Sequence, residues 1–350
     1  MVKQRTGKVS ILIISLLFVF QAFSANENLI PPIVDGPVKI TAHLHINKIY
    51  NINTVDETYQ IDGYLEYSWM DEQFKISDGD SVSGSRIYEN DKAMELINTK
   101  MWFPAFELIN VQGNAEIPNI GLEIYPNGKI IYEVRFFGIF SNYMDFRNFP
   151  FDSQKFNIQI EAFSYDSSQL IFVNPDMFLD NSNDSFSEKW EILKMTPSVS
   201  EQVYPEENSE DEVFSRVVFE IDAKRMTGYY LWQVLFPLFI IIMASFVIFW
   251  IKDFGTQIGI GFTLMLTVVA FNFYSTSILP KLSYQTFIET IIIVGYVFIF
   301  LGIIAVIVNH RINGHSEDFG DNKLMKVLRY VFPFTFLTAL IVLFFLFKVG

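Results

Sequence analysis

One uncharged segment of the sequence carries a row of side chains suited to the passage of ions. When residues 255–280 are placed on a helix, steps of four and three bring one set of side chains onto a single face. This set comprises Gly259, Thr263, Leu266, Ala270, Phe273 and Ser277. The stripe is small or polar at both ends and apolar in the middle. Such a face suits a water-filled pore that admits ions at each mouth and closes by dewetting at an apolar waist, for which Leu266 is the main candidate.

The same stripe has a second interpretation. Small residues also let membrane helices approach closely, so a buried helix with tight neighbours would carry a similar set. The other faces of the segment are apolar, with Phe262, Leu264, Met265, Val268, Val269 and Phe271. The choice between a pore lining and a packed helix therefore depends on the rest of the sequence.

The sequence offers no constellation typical of an enzyme or a metal site. It contains no cysteine, which excludes disulfides, thiol nucleophiles and thiolate ligands. His43 and His45 point the same way from a predicted strand, and without another histidine nearby we expect a solvated strand face. Asp78 and Asp80 flank a glycine as in a calcium loop, but the glycine and glutamate that complete such a loop are missing. We predict no enzymatic activity, no cofactor and no bound metal.

Four apolar stretches in the last third of the chain must position the stripe. The sequence is 51% hydrophobic and holds 37 phenylalanines, which is high for a soluble protein. Each stretch is close to the roughly 20 residues that cross a bilayer. The core of each is uncharged, apart from Glu289 in the third. The predicted spans are 228–251, 256–279, 285–309 and 325–348, within a membrane domain of residues 227–350.

The charges at the start of the chain and between the spans predict its topology. Lys3, Arg5 and Lys8 precede an apolar run and a set of small residues, as in a secretory signal peptide, which we assign to residues 1–25. A first transmembrane helix is the alternative for this run. Basic residues follow the first and third spans, which predicts cytoplasmic loops there and an exported N-terminal domain in the periplasm. These residues are Lys252, His310, Arg311, Lys323, Lys326 and Arg329.

The exported part, residues 26–226, has the pattern of an all-β domain. Apolar residues alternate with polar ones from Val38 to Ile46 and from Tyr59 to Trp69, and again in two later segments. Tyr125–Gly128 has the composition of a hairpin turn, and only 91–98 suggests a short helix. Many short strands with turns between them predict an immunoglobulin-like sandwich. The formal net charge of −14 argues against a nucleic-acid partner and favours the attraction of cations.

A motif within this domain resembles that of a known family. Residues 149–154 read Phe-Pro-Phe-Asp-Ser-Gln, preceded by Met144, Asp145 and Phe146. This run resembles the signature loop of pentameric ligand-gated ion channels, the Cys-loop receptor family. Asn142 and Phe156 stand where animal members have cysteines, which is the pattern of prokaryotic members. Asn47–Tyr50, 262–270 and 278–280 are especially similar to prokaryotic channels gated by primary amines.

The resemblance implies a complete architecture and a function. Each subunit would have a β-sandwich followed by a four-helix transmembrane bundle, and five copies would surround a pore lined by the second span. The protein would lie in the bacterial inner membrane, surrounded by lipids. It would be a cation channel opened by a small agonist, either an amine or a change in pH, bound between subunits. A membrane-anchored periplasmic ligand sensor without conduction is the alternative.

The resemblance also implies site residues. The ligand-binding positions are Tyr64, Glu107, Glu133, Glu161, Phe163, Tyr204 and Phe214, whose aromatic faces and carboxylates suit a cationic amine. Positions that couple the two domains are Asp56, Asp152, Arg225 and Pro280. Two departures from the amine-gated relative weaken the amine prediction. Ala162 replaces a proline, and Glu133 replaces an asparagine. Cation selectivity is expected because the insertion typical of anion channels is missing, and Asp253 is the nearest acid to the cytoplasmic mouth.

Overall fold

The computed structural model describes residues 31–32, 35–76, 84–180, 189–205, 211–276, 281–313 and 322–347. Its first part is a β-sandwich, and its last part is a bundle of four apolar helices. A short helix, α1 (Asn90–Thr99), precedes the fourth strand. The strands are β1 (Val38–Asn53), β2 (Thr58–Met70), β3 (Arg86–Glu89), β4 (Phe106–Leu108), β5 (Glu116–Ile124), β6 (Lys129–Ser141), β7 (Ser153–Ala162), β8 (Leu170–Phe172), β9 (Asp176–Leu179), β10 (Trp190–Tyr204) and β11 (Glu212–Arg225).

The strands form two sheets. The larger has the order β3-β5-β6-β2-β1-β8, and β9 also pairs with β1. The smaller has the order β10-β11-β7-β4. The predicted turn at Tyr125–Gly128 joins β5 to β6, where the Gly128 N–H donates to the Tyr125 carbonyl over 3.0 Å. Gly128 has φ +87°, a conformation that glycine adopts without strain.

A tyrosine hydroxyl links the two sheets through the core. Tyr59 of β2 is fully buried, and its hydroxyl donates to the main-chain carbonyl of Asn157 in β7 over 2.6 Å. The same hydroxyl accepts from the Asn157 N–H over 2.9 Å. Burial raises the pKa of Tyr59 far above its usual value, so the hydroxyl stays protonated. Its ring packs edge-on against Phe156, so apolar packing and paired hydrogen bonds fix the sheets together.

Four helices are long and apolar enough to cross a membrane. They comprise Gly228–Trp250, Phe254–Thr276, Phe287–Asn313 and Lys323–Leu346. The first contains a π-helical turn at Leu231–Leu235, just before Pro237, which lacks an N–H and cannot continue the normal hydrogen-bond ladder. A capping box starts the third, because Glu289 accepts from the Thr286 N–H over 2.9 Å. The predicted signal peptide, Ser277 and Pro280 lie outside the described residues.

A substitution at Gly63 tests how closely the main chains of β1 and β2 approach each other. A Cβ there would lie 2.6 Å from the main-chain oxygen of His45, at a bulge where Ile46 pairs with Gly63 and Lys48 with Asp62. A main-chain atom cannot move away without breaking the pairing. We expect Gly63→Ala to lower the free energy of unfolding by about 1–3 kcal/mol, measured as a lower thermal midpoint of the purified protein.

Gly121→Ala in β5 is the matched control for this substitution. A Cβ at Gly121 meets no atom closer than 3.9 Å, so its thermal midpoint should stay at the wild-type value. Equal midpoints for the two variants would contradict the close approach at Gly63.

Candidate ion pathway, domain junction and ligand site

The predicted pore stripe faces away from the other helices of its own subunit. Gly259, Thr263 and Ala270 are exposed, and the exposed fractions of Leu266 and Phe273 are 68% and 73%. The opposite face of the same helix is the packed one. A Cβ at Gly261 would lie 2.8 Å from Ile303 of the third span, whereas one at Gly259 would meet nothing within 4 Å. Small-residue packing within the subunit therefore uses the Gly261 face, and the stripe is left open.

A carboxylate starts the helix that carries this stripe. Asp253 accepts from the main-chain N–H of Thr256 over 2.7 Å and from its hydroxyl over 2.6 Å. The hydrogen bonds from Thr256 lower the pKa of Asp253, so this N-terminal cap stays ionised. The side chain of Gln257 does not lie beside Asp253 on the exposed face of the helix. Its amide is buried and donates to the carbonyls of Ile248 and Ile251, which holds the turn between the first two spans.

A buried ion pair lies where the sandwich meets the membrane helices. Arg225, the last residue of β11, is 4% exposed, and Asp152 is 2% exposed. The guanidinium donates twice to the carboxylate, over 2.8 and 3.0 Å. Gln154 donates to the same carboxylate over 2.6 Å. Three aromatic rings surround the guanidinium at 4.2–5.7 Å from their centroids: Trp190, Phe149 and Tyr230.

The signature loop, residues 142–152, contacts three membrane helices and the segment before the third. The Phe146 N–H donates to the Tyr284 hydroxyl over 3.0 Å, and the Phe287 N–H donates to the Arg147 carbonyl over 2.9 Å. The remaining contacts are ring pairs, Phe149–Tyr230, Phe151–Phe287 and Phe151–Phe344, with centroids 4.8, 5.6 and 6.5 Å apart. This loop is thus the main mechanical link between the described parts of the two domains.

The predicted coupling residue Asp56 does not take part in this ion pair. It occupies the tip of the β1–β2 turn, where it accepts from the side chain of Asn53 over 2.7 Å. Among the described residues, the ion-pair partner of Arg225 is Asp152.

Four of the seven predicted ligand-binding residues belong to strands of the smaller sheet, and Phe163 directly follows β7. Glu107 of β4 pairs across the sheet with Glu161 of β7. The Tyr204 hydroxyl donates to Glu161 over 3.2 Å, and its ring lies edge-on to Phe214 with centroids 5.6 Å apart. Phe163 is 68% exposed. The sheet thus presents an aromatic group with two carboxylates on its outer face.

The other two lie on the larger sheet, where they line a different cavity. Tyr64 and Glu133 border a space of about 330 Å³ together with His43, His45, Glu66, Asp176, Phe178 and two apolar residues. Desolvation raises the pKa of Glu133, the nearby Glu66 raises it further, and His45 opposes the shift. Among the described residues no group of three or more histidine and acidic side chains is placed to hold a metal ion.

The two groups lie on opposite outer faces of the sandwich. Leu65 and Val134 point into the core between the sheets, so their neighbours Tyr64 and Glu133 point outward. The two groups of predicted ligand-binding residues therefore do not contact each other within one subunit.

The sequence of the sandwich identifies the family. Residues 20–227 match the neurotransmitter-gated ion-channel ligand binding domain. The chain belongs to this family. It is a multi-pass membrane protein of the ligand-gated ion-channel class with an extracellular N-terminal domain, as the signature loop and the four apolar helices predict. The family and fold-class predictions are confirmed, and so is the prediction that the protein is not an enzyme.

Similar proteins include bacterial and animal channels. The proton-gated ion channel of Gloeobacter violaceus is 25% identical over 317 residues, which cover 91% of this chain and 85% of that protein. The gamma-aminobutyric acid receptor subunit beta-4 of Gallus gallus is 26% identical over 78% of this chain and 55% of its own length. The gamma-aminobutyric acid receptor subunit rho-2 of Homo sapiens is 23% identical over 78% of this chain and 58% of its own length. The chain therefore spans little more than half of these animal subunits.

Sequence analysis missed three features of these sites. Arg216 lies among the predicted ligand-binding residues, and its place two residues after Phe214 on one strand could have revealed it. His43 is partly exposed and His45 is exposed, as expected for a solvated strand face, but both also line a cavity that the sequence did not indicate. Glu289, noted from the sequence only as the charge within the third apolar stretch, caps the third span, which the Thr286-x-x-Glu289 spacing could have indicated.

Replacing Arg225 tests the junction. Arg225→Ala leaves the buried Asp152 without its counter-ion, which costs about 3–5 kcal/mol for such pairs. We expect loss of the assembled oligomer in size-exclusion chromatography or, where assembly survives, loss of agonist-evoked current. Lys155→Ala is the control, because Lys155 pairs with Glu220 while its side chain is 59% exposed, and exposed pairs contribute little. Wild-type assembly and currents in Arg225→Ala would contradict the coupling role.

Proposed function

We propose that five copies of the chain form a ligand-gated, cation-selective channel in the bacterial inner membrane. The observation that carries the proposal is the stripe of the second span. Its described members, from Gly259 to Phe273, are exposed within the subunit, and its sequence is small or polar at both ends and apolar in the middle. One such helix cannot enclose a pore, and the number five comes from the family. The partners of each subunit are four further copies, a small-molecule agonist, permeant cations and membrane lipids.

The agonist site lies between neighbouring subunits in this proposal. The group around Tyr204 and Phe214 on one subunit faces the Tyr64 and Glu133 group of the next. Aromatic rings with nearby carboxylates favour a cationic ligand, so a small amine is the agonist class with most support.

A change in pH is the second candidate stimulus. The raised pKa of Glu133 brings the titration of this carboxyl closer to neutral pH. Lowering the pH would then neutralise a charge at the subunit interface. The similarity to a proton-gated channel supports this alternative.

The position of Leu266 favours a channel over a ligand sensor without conduction. A sensor needs no exposed apolar ring between polar residues on a membrane helix, whereas a gate that closes by dewetting does. The domain junction would serve either function, so the pore is the feature to test.

Current through purified protein in a planar bilayer tests the proposal. We expect gated currents on stepping the pH or applying a panel of amines. Leu266→Ala removes the apolar waist, so unstimulated current should rise or the agonist concentration for half-activation should fall by about tenfold or more. Leu264→Ala is the matched control, because it shortens a leucine of the same helix that lies off the stripe.

Two results would contradict a channel. One is the absence of current under every stimulus, both from the assembled wild-type protein and from Leu266→Ala. The other is an equal effect of the two leucine substitutions, which would place the gate away from the stripe.

Asp253 is the residue we expect to support cation selectivity. A ring of ionised carboxylates at the cytoplasmic mouth would concentrate cations and repel anions. Asp253→Asn keeps an oxygen that can cap the helix but removes the charge. The reversal potential under a salt gradient should therefore shift toward that of chloride, while assembly is unchanged. If the reversal potential of Asp253→Asn equals that of the wild type, Asp253 is not the selectivity residue. If the reversal potential of the wild-type protein itself follows chloride, the channel is not cation-selective.

A further inference from the structure

The side chain of Asn110 takes the place of a neighbouring strand along part of β7. Strand β4 ends at Leu108, and beyond it the main chain of β7 needs other hydrogen-bond partners. The Asn110 Oδ1 accepts from the Gln159 N–H over 3.0 Å, and its Nδ2 donates to the Asn157 carbonyl over 3.0 Å. The Asn157 N–H donates to the Tyr59 hydroxyl over 2.9 Å. Because Asn157 is buried, the loss of these partners would be costly.

The same asparagine holds the point where the signature loop begins. Its Nδ2 donates to the carbonyl of Ser141, the last residue of β6, over 3.1 Å. In return, the Ser141 N–H donates to the Asn110 carbonyl over 3.0 Å. One residue later, the Asn142 side chain donates to the carbonyl of Lys155 in β7 over 2.9 Å. The loop enters β7 at Ser153, so these bonds hold its two ends together.

Gln159 connects Asn110 to the outer face of the smaller sheet. Its main-chain N–H donates to Asn110, whereas its side-chain oxygen accepts from Nη1 of Arg216 over 3.0 Å. Arg216 also donates through Nη2 to the Tyr204 hydroxyl over 3.0 Å and through Nε to Glu161. The exposed fractions of the Arg216 and Glu161 side chains are 15% and 6%. A series of hydrogen-bonded residues therefore runs from Tyr204 to the start of the signature loop.

The partial burial of this series makes its members depend on one another. Asn110, Gln159 and Arg216 are all shielded in part from water, so a lost bond is not fully replaced by solvent. A displacement of Arg216 moves the side chain that it holds on Gln159. Asn110 must then follow β7 or give up its bonds to the main chain.

We propose that Asn110 is a positioning residue that ties the signature loop to the outer face of the smaller sheet through Gln159 and Arg216. It holds the two ends of the loop together and sets their position relative to β7. Because the loop contacts the membrane helices, a change around Tyr204 reaches the domain junction by this route. The role in gating rests on the proposed function, whereas the tie itself lies within one subunit and needs no particular ligand.

Hydrogen–deuterium exchange of the purified full-length protein, followed by mass spectrometry, tests the tie without ligand or current. Main-chain amides exchange when the segment that contains them opens locally. Arg216→Gln removes the guanidinium donor to Gln159, so we expect the exchange rate of residues 142–152 to rise by about threefold or more. In Asn110→Ala the loop is already released. Adding Arg216→Gln to that variant should change the rate by less than about 1.5-fold.

Glu220→Gln is the matched control for a lost interaction between the same two strands. Glu220 of β11 pairs with the Lys155 side chain of β7 over 2.7 Å, and that lysine side chain is 59% exposed. Exposed pairs of this kind contribute little. The exchange rate of residues 142–152 should therefore stay at the wild-type value in this variant.

Gln159→Met tests the same tie by a second route, which also serves if Asn110→Ala does not fold. It keeps the main-chain N–H that bonds Asn110 but removes the side-chain oxygen that accepts from Arg216. We expect it to raise loop exchange as much as Arg216→Gln does. The combination of the two should bring no further increase, because both break the same bond.

Three outcomes would overturn the inference. The first is wild-type exchange of residues 142–152 in Arg216→Gln, with a rise confined to β7, β10 and β11. The second is an equal effect of Arg216→Gln with and without Asn110→Ala, which would make the two residues independent. The third is a rise in Asn110→Ala that is as large in β1 and β2 as in the loop, with a lower thermal midpoint, as for a purely structural residue.

Failure of the channel proposal is distinct from these outcomes. It would appear as missing current in the bilayer while the exchange cycle gives the expected result.

Discussion

The ion pair of Arg225 with Asp152 ties the end of the last strand to the signature loop at the point where the chain enters the membrane. Both groups are almost fully buried, so neither can be displaced alone without leaving an uncompensated charge in an apolar surrounding. The rings of Trp190, Phe149 and Tyr230 exclude water from the guanidinium. The ion pair therefore fixes the positions of the sandwich, the signature loop and the first span relative to one another.

The same loop extends that constraint to the other helices. Its main chain exchanges hydrogen bonds with Tyr284 and Phe287, on either side of the start of the third span. The third span packs against the second through Gly261 and Ile303. A displacement of β11 or β7 is thus connected through packed groups to the helix that carries the stripe.

Two arginines of β11, Arg216 and Arg225, use the same interaction differently. Arg225 pairs with Asp152 inside an aromatic enclosure and fixes the junction. Arg216 pairs with Glu161 on the outer face of the smaller sheet and neutralises a carboxylate that the sequence alone presents as a ligand group. In a chain with net charge −14, the position of a guanidinium therefore distinguishes a paired carboxylate from an unpaired one, which the sequence alone does not.

The sequence by itself determined the features that depend on the local pattern of a single strand, turn or helix. Alternation placed β1 and β2, the Tyr125–Gly128 turn placed a hairpin, and the apolar runs predicted four membrane-spanning helices. The stripe of the second span also followed from helical spacing, and the signature loop identified the family. Tertiary structure alone decided which distant groups pair. Arg216 and Glu161 are 55 residues apart, and Arg225 and Asp152 are 73 apart. Periodicity reports which face a residue occupies, whereas its partner on that face depends on which strands become neighbours. Strands far apart in the chain, such as β7 and β11, become neighbours only through the fold as a whole.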